Sequence, residues 1–330
     1  MKKIRELIRQ DIQLSVLVGI TFLIIVWSIL QFGTVMYSTK NIQAMMFQIP
    51  EFGFLALAMM LSNMIGGIDL SIIANANTVA IFTAYILNGQ WFSGINGGSR
   101  IVVAILFAFL CSIVFGMING LLISKTSAPP LIATLGTMTL FQGIGMAMTG
   151  GSSVGGIEEG FAYFGKATIL QIPIIFIIFF VVVIGIHVFM SYSRVGRNIY
   201  LYGANPVATR FSALSNEKIC MTVFLLTAIL AGIAGLIILS RVNSAKIGYG
   251  ESYLLQTLIV CVIGGIDPNG GKGKVIGVFL AVIIMQIMSN GFTILALSPY
   301  AKKLIWGVVL LLVLGLNYIF KKYLYRLNSK

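Results

Sequence analysis

The tetrapeptide Gly-Gly-Ile-Asp occurs twice in this chain, at 66–69 and at 264–267. Each copy follows one apolar run and precedes another. The paired glycines Gly66-Gly67 and Gly264-Gly265 interrupt a helix, and the aspartate after them can accept from free N–H groups of the next one. Discontinuous helices of that kind expose backbone beside the transport path of carriers. Plain capping of two helix starts accounts for the same residues, so both roles stay open for Asp69 and Asp267. Past the first copy, Ser71, Asn75 and Thr78 share one helix face, with Asn77 beside it. Gln286, Asn290 and Thr293 repeat that spacing, and Gln142 joins Thr134, Thr137 and Thr139 in a third polar group. Amides and hydroxyls donate and accept without a strong field, which suits a neutral, hydroxyl-rich solute. Taken singly, each is better read as a bond between packed helices. Taken together, stripes on two helices favour a wet path.

Other chemistry is poorly represented. His187 is the only histidine, and Cys111, Cys220 and Cys261 lie far apart in apolar runs, as packing residues do. No serine–histidine, paired-carboxylate or metal arrangement is present, so no catalytic residue, metal or cofactor is expected. The run Gly271-Lys272-Gly273-Lys274 lacks the glycine spacing and the hydroxyl of a phosphate-binding loop. The chain is therefore expected to be a non-enzyme with no ATPase site of its own. Glu51, Asp69 and Glu251 are the acids nearest to apolar runs, and all three are expected near span ends or breaks. An ion-driven carrier buries acids mid-membrane, so the energy source is expected in another molecule.

Positioning these groups falls to apolar helices. The 330 residues hold 22 Lys and Arg against 9 Asp and Glu, a net charge of +13. Only 9% are charged and 58% are hydrophobic, against about 25% charged in a soluble domain. A water-soluble enzyme and a disordered chain are both excluded. The fold class is an all-α, polytopic membrane protein. Charge-free windows place about ten spans (eight to ten) at 12–36, 41–65, 70–89, 100–124, 130–150, 168–190, 219–241, 251–266, 274–296 and 303–320. The second is expected to break at Pro50-Glu51, and the eighth is short. The basic N-terminus, with Lys2, Lys3, Arg5 and Arg9, precedes an apolar run too long for a signal peptide and reads as a first membrane helix. With both termini cytoplasmic, 15 of the 22 basic residues fall inside and 7 outside, the asymmetry expected of an inserted chain.

The longest polar interval is internal, at 191–218. There Asn205 can cap a helix whose first residue is Pro206. That helix presents Ala208, Phe211, Ala213 and Leu214 among few charges, and Ser215 or Asn216 can cap the next element. A short, partly apolar helix facing water is expected to press into a partner's groove. Residues 1–330 read as one transmembrane domain, with 191–218 as its cytoplasmic coupling loop and no soluble domain.

Four ordered blocks carry a resemblance over nearly the whole chain. They are Gly66-Gly67-Ile68-Asp69-Leu70-Ser71, Ala133-Thr134-Leu135-Gly136-Thr137, Val195-Gly196-Arg197 leading to Gly203-Ala204-Asn205, and Gly264-Gly265 with Gly270-Gly271-Lys272-Gly273 and Asn290-Gly291. On these blocks the chain resembles the permease subunits of ribose-type ABC sugar importers. It departs from the family's usual residues at 72–74, 211–214 and 265–269. The resemblance implies a permease pair, of two copies or of a copy and a paralogue. It also implies a cytoplasmic ATPase that hydrolyses the ATP, and an extracellular or periplasmic binding protein that delivers a monosaccharide or related small molecule. Coupling contacts would fall at Arg197, Gly203, Asn205, Pro206, Ala208, Phe211, Ala213 and Ser215. The translocation path or helix breaks would involve Gly66, Gly67, Asp69, Ser71, Asn75, Gln142, Gly264, Gly265, Gln286 and Asn290. The expected location is a prokaryotic cytoplasmic membrane, with lipid and no nucleic acid as neighbour. A stand-alone carrier or facilitator for a small neutral solute is the alternative.

Overall fold

The computed structural model describes residues 12–126 and 128–328. The basic residues Lys2, Lys3, Arg5, Arg9 and Lys330 lie outside them. The order is α1 (Ile12–Met36), α2 (Thr39–Met64), α3 (Ile72–Leu87), α4 (Gly97–Thr126), α5 (Pro130–Thr149), β1 (Val154–Gly155), α6 (Glu159–Phe164), β2 (Thr168–Ile169), β3 (Ile172–Pro173) and α7 (Ile174–Tyr192). Then follow α8 (Arg194–Ala204), α9 (Pro206–Phe211), α10 (Asn216–Val242), β4 (Ser244–Ala245), α11 (Glu251–Ile263), α12 (Val275–Ile294) and α13 (Pro299–Asn328). Among the described residues, seven helices are long and apolar enough to cross a membrane: α1, α2, α4, α5, α7, α10 and α12. The chain is an all-α polytopic membrane protein. α3 and α11 are apolar but short, roughly 24 and 20 Å at 1.5 Å per residue.

Burial separates an inner group from an outer shell. In α2 every side chain from 49 to 64 is buried, and α3 is buried on almost all sides. α10 packs against α2, α3 and α4, and α12 packs against α1 and α2. Aliphatic side chains on the outer faces of α1, α4, α5, α7 and α13 stay exposed, as Leu30, Leu106, Ile132, Val181 and Leu311 do. That apolar exposure is what lipid requires and water would not tolerate. Close approach in the inner group rests on small residues. Gly116 and Gly120 of α4 sit against the backbone of α10, and a Cβ on Gly116 would lie 2.9 Å from the Leu225 Cα.

Two sequence expectations need correction. α2 does not break at Pro50-Glu51 but continues helically through both residues, because Pro50 removes one backbone bond while packing on all sides keeps the flanking turns helical. Glu51 therefore lies mid-helix and not at a span end. The window 168–190 opens with the β2–β3 hairpin, and its helix starts at Ile174. Antiparallel pairing of Val154 with Ala245 in β1–β4 ties the segment after α5 to the end of α10.

Candidate functional site

Three segments spread over about two hundred residues of chain meet at one glycine-lined junction. The first is the break after α2, where Gly66 adopts φ +73°. The second is the end of α8, where Gly203 is buried. The third is the loop after α11, where Gly270 and Gly271 adopt φ +93° and +74°. The Gly271 N–H donates to the Met64 carbonyl at 2.9 Å. A Cβ on Gly203 would overlap that same carbonyl oxygen, and one on Gly66 would lie 2.9 Å from the Asn269 carbonyl. A Cβ on Gly271 would lie 2.5 Å from the Ala204 nitrogen. Tyr200 of α8 adds a bond from its hydroxyl to the Gly273 carbonyl at 2.9 Å. The two Gly-Gly-Ile-Asp copies are thus joined in space through the segment between them.

Out of this junction the chain runs straight into α9. Asn205 accepts from the Val207 and Ala208 N–H groups at 3.0 Å each, and Pro206 is the first helical residue. Ser215 accepts from the Lys218 N–H at 3.3 Å and caps α10. The short helix leaves Val207 64% and Phe211 88% exposed, and Ala208 is also exposed. Ala213 and Leu214, expected on this helix, lie past its end at Phe211, with Ala213 exposed at φ +58°. Arg197, Arg210, Lys218 and Lys272 are all exposed. Val207 and Phe211 make the short helix a small apolar knob. Gly203 stands apart from the other expected coupling residues: it faces the junction, not the surface, because three backbones converge on it.

The polar stripe of α3 is taken up by its neighbours. Asp69 Oδ1 accepts from the Ser71 N–H at 2.9 Å and from the Ser71 hydroxyl at 2.6 Å. Asn119 donates to Ser71 Oγ at 2.8 Å, and Thr137 donates to Asn119 Oδ1 at 2.6 Å. This buried relay links α3, α4 and α5. Thr134 donates to the Ile68 carbonyl and accepts from the Leu70 N–H, which holds the break against α5. Asn75 donates to the Ala228 carbonyl, Asn77 to Tyr249 and Thr78 to Phe141. In this arrangement the stripe binds helices together, while Asn75 Oδ1 is buried with no partner among the described residues. Asp267 departs from the expected cap: the residue preceding α12 is Lys274, and Asp267 instead closes a turn by accepting from Asn269 at 3.1 Å.

On α12, Gln286 donates to Gln48 of α2 at 2.9 Å and borders an apolar cleft between α1, α2 and α12. One turn on, Asn290 is buried and its amide nitrogen has no partner among the described residues. Gln142 is half-buried on α5, one residue after Phe141. Gly264 lies against α12, where a Cβ would sit 2.9 Å from the Val278 nitrogen.

Sequence reasoning missed one site. Glu51 Oε1 lies 2.9 Å from the Arg241 guanidinium, and the Tyr253 hydroxyl donates to Glu51 Oε2 at 2.8 Å. The residues are too far apart in sequence for any motif to pair them. The available signal was an acid within a charge-free window, read as a break because of the proline beside it.

Residues 41–314, most of the chain and all of these features, match the family described as branched-chain amino acid transport system / permease component. The chain belongs to this permease family. The ribose import permease protein RbsC of Bacillus subtilis is 31% identical over 92% of each chain. RbsC of Escherichia coli K12 is 31% identical over 84% of this permease and 85% of its own length. The autoinducer 2 import system permease protein LsrD of Yersinia enterocolitica is 30% identical over 83% of each. The resemblance drawn from the four blocks to ribose-type ABC permeases therefore holds. No solved structure matches the permease significantly.

Proposed function

We propose that this permease carries a ribose-like monosaccharide, or a related small polyol or autoinducer, across the cytoplasmic membrane of a prokaryote. An extracellular or periplasmic binding protein delivers the solute. A second permease, identical or paralogous, completes the path, and a separate cytoplasmic ATPase hydrolyses the ATP. Both termini and α9 face the cytoplasm in this reading.

The observation that carries it is the α9 knob: an exposed, doubly capped helix whose root is packed into both helix breaks. Displacing α9 must press on the Gly66 and Gly270 segments, since no side chains cushion their contact. Force from an ATPase would then reach the ends of α2, α3, α11 and α12. Ala208→Glu or Ala213→Glu should abolish co-purification with the ATPase while membrane insertion stays normal. Unchanged co-purification and uptake would exclude α9 as the docking point.

A second reading, a proton-coupled carrier, draws on Glu51, an acid buried in mid-helix. Its ion pair with Arg241 already neutralises that charge. The two readings separate by whether uptake needs ATP or a proton gradient.

A further inference from the structure

At the opposite end of the inner group from α9 lies the charge cluster that the function above does not use. α10 begins beside α9 and ends at Val242, so Arg241 sits at its far end. Glu51 is 13 residues from the end of α2 at the junction, roughly 20 Å along the helix. Its carboxylate is only 6% exposed. It meets the Arg241 guanidinium at 2.9 Å and accepts from the Tyr253 hydroxyl at 2.8 Å. Arg241 also donates to the Phe47 carbonyl at 3.1 Å. Three helices, α2, α10 and α11, thereby meet at one carboxylate, whose Oε1 faces the guanidinium as an ion pair without an aligned hydrogen bond.

The surroundings keep each partner in place. Gly165 lets its backbone lie close against the backbone of α10 at Ser240 and Arg241: a Cβ there would lie 2.7 Å from the Arg241 amide nitrogen. Gly250 lets the Tyr253 ring lie over the start of α11, where a Cβ would come within 2.7 Å of it. The ring also packs at 6.0 Å from that of Phe52. Packing alone would join these helices more firmly, because a buried ion pair returns little more than the cost of desolvating it. What a charge pair offers instead is reversibility. The Arg241 side chain is 27% exposed, so water can solvate it as the pair separates. By contrast, the Arg100–Glu158 pair joins α4 to a loop residue, not two membrane-length helices.

We propose that Glu51, Arg241 and Tyr253 form a latch that closes the end of the helix group remote from α9, and that its opening is a step of transport. This rests on the reading of the chain as a solute permease. Gln256, buried one turn beyond Tyr253 on α11, reports on the opening. A Gln256→Cys permease in sealed membranes is treated from each face with a membrane-impermeant maleimide, and modification at 256 is read by mass spectrometry. Glu51→Gln should raise the rate of labelling roughly tenfold or more, the effect of removing one partner of a buried charge pair. The exchanged pair, Glu51→Arg with Arg241→Glu, should bring it back toward the parent rate. Tyr253→Phe, which keeps the ring and deletes one bond, should give a smaller rise. Equal labelling in the parent and Glu51→Gln overturns the latch. So does labelling that rises only with a fall in melting temperature and is not reversed by the exchange. Labelling requires neither ATPase nor solute, so a failure of ATP-driven D-ribose uptake would count against the importer while leaving this result standing.

Discussion

Gly203 shows how much a single absent side chain can carry. The sequence places it in a loop with a family-like pattern, but its neighbours are the Met64 carbonyl and the Gly271 backbone. Adding one methyl group there has no room to relax, because backbone lies on every side. Gly203→Ala should cost about 1–3 kcal/mol by overpacking and lower the melting temperature of the purified permease by several degrees. Gly136→Ala on α5 meets open space and should stay within about 0.5 kcal/mol of the parent. Equal melting temperatures for the two variants would show that the junction tolerates separation. Asp69 makes a similar point: its type and position announce a cap for α3, yet its carboxylate closes a turn on Ser71 ahead of that helix, and Asn119 and Thr137 extend the contact into a relay.

Among elements, α9 is the one whose local chemistry and exposure agree. Asn205 and Pro206 specify a helix start without help from tertiary packing. The six-residue helix is too short to persist by propensity alone, so the two bonds to Asn205 matter. Asn205→Ala should weaken it by about 1 kcal/mol, seen as faster amide exchange across 206–212 and weaker, not lost, ATPase co-purification. Unchanged protection would mean that contacts with α8 and α10 hold the helix by themselves. α2 illustrates the opposite case. Its proline suggested two half-helices, yet burial along its whole inner length keeps one continuous rod.

For the molecule as a whole, the end of α2 is tied by backbone contacts to α8 and to the loop after α11, and its middle is tied by a charge cluster to α10 and α11. A body tied in this way moves solute uphill only if something outside it supplies work. Reconstituted alone in sealed vesicles, the permease should fail to accumulate D-ribose, with or without a pH gradient, as measured by radiolabel retention. Accumulation by the lone chain would replace the importer with a secondary carrier. Much of this molecule was legible in the sequence, because membrane insertion is decided by composition over windows of about 20 residues. Hydropathy alone located the apolar helices, and local capping chemistry located α9. Which polar groups meet was not legible, since hydrogen bonds and ion pairs depend on helices distant in sequence coming within 3 Å. Tertiary packing alone brought Gly66, Gly203 and Gly270 together, turned the stripe of α3 toward its neighbours, and set Glu51 against Arg241. Neither glycine contacts nor buried charge pairs leave a periodic trace along the chain, because each is created by three-dimensional closeness and not by order.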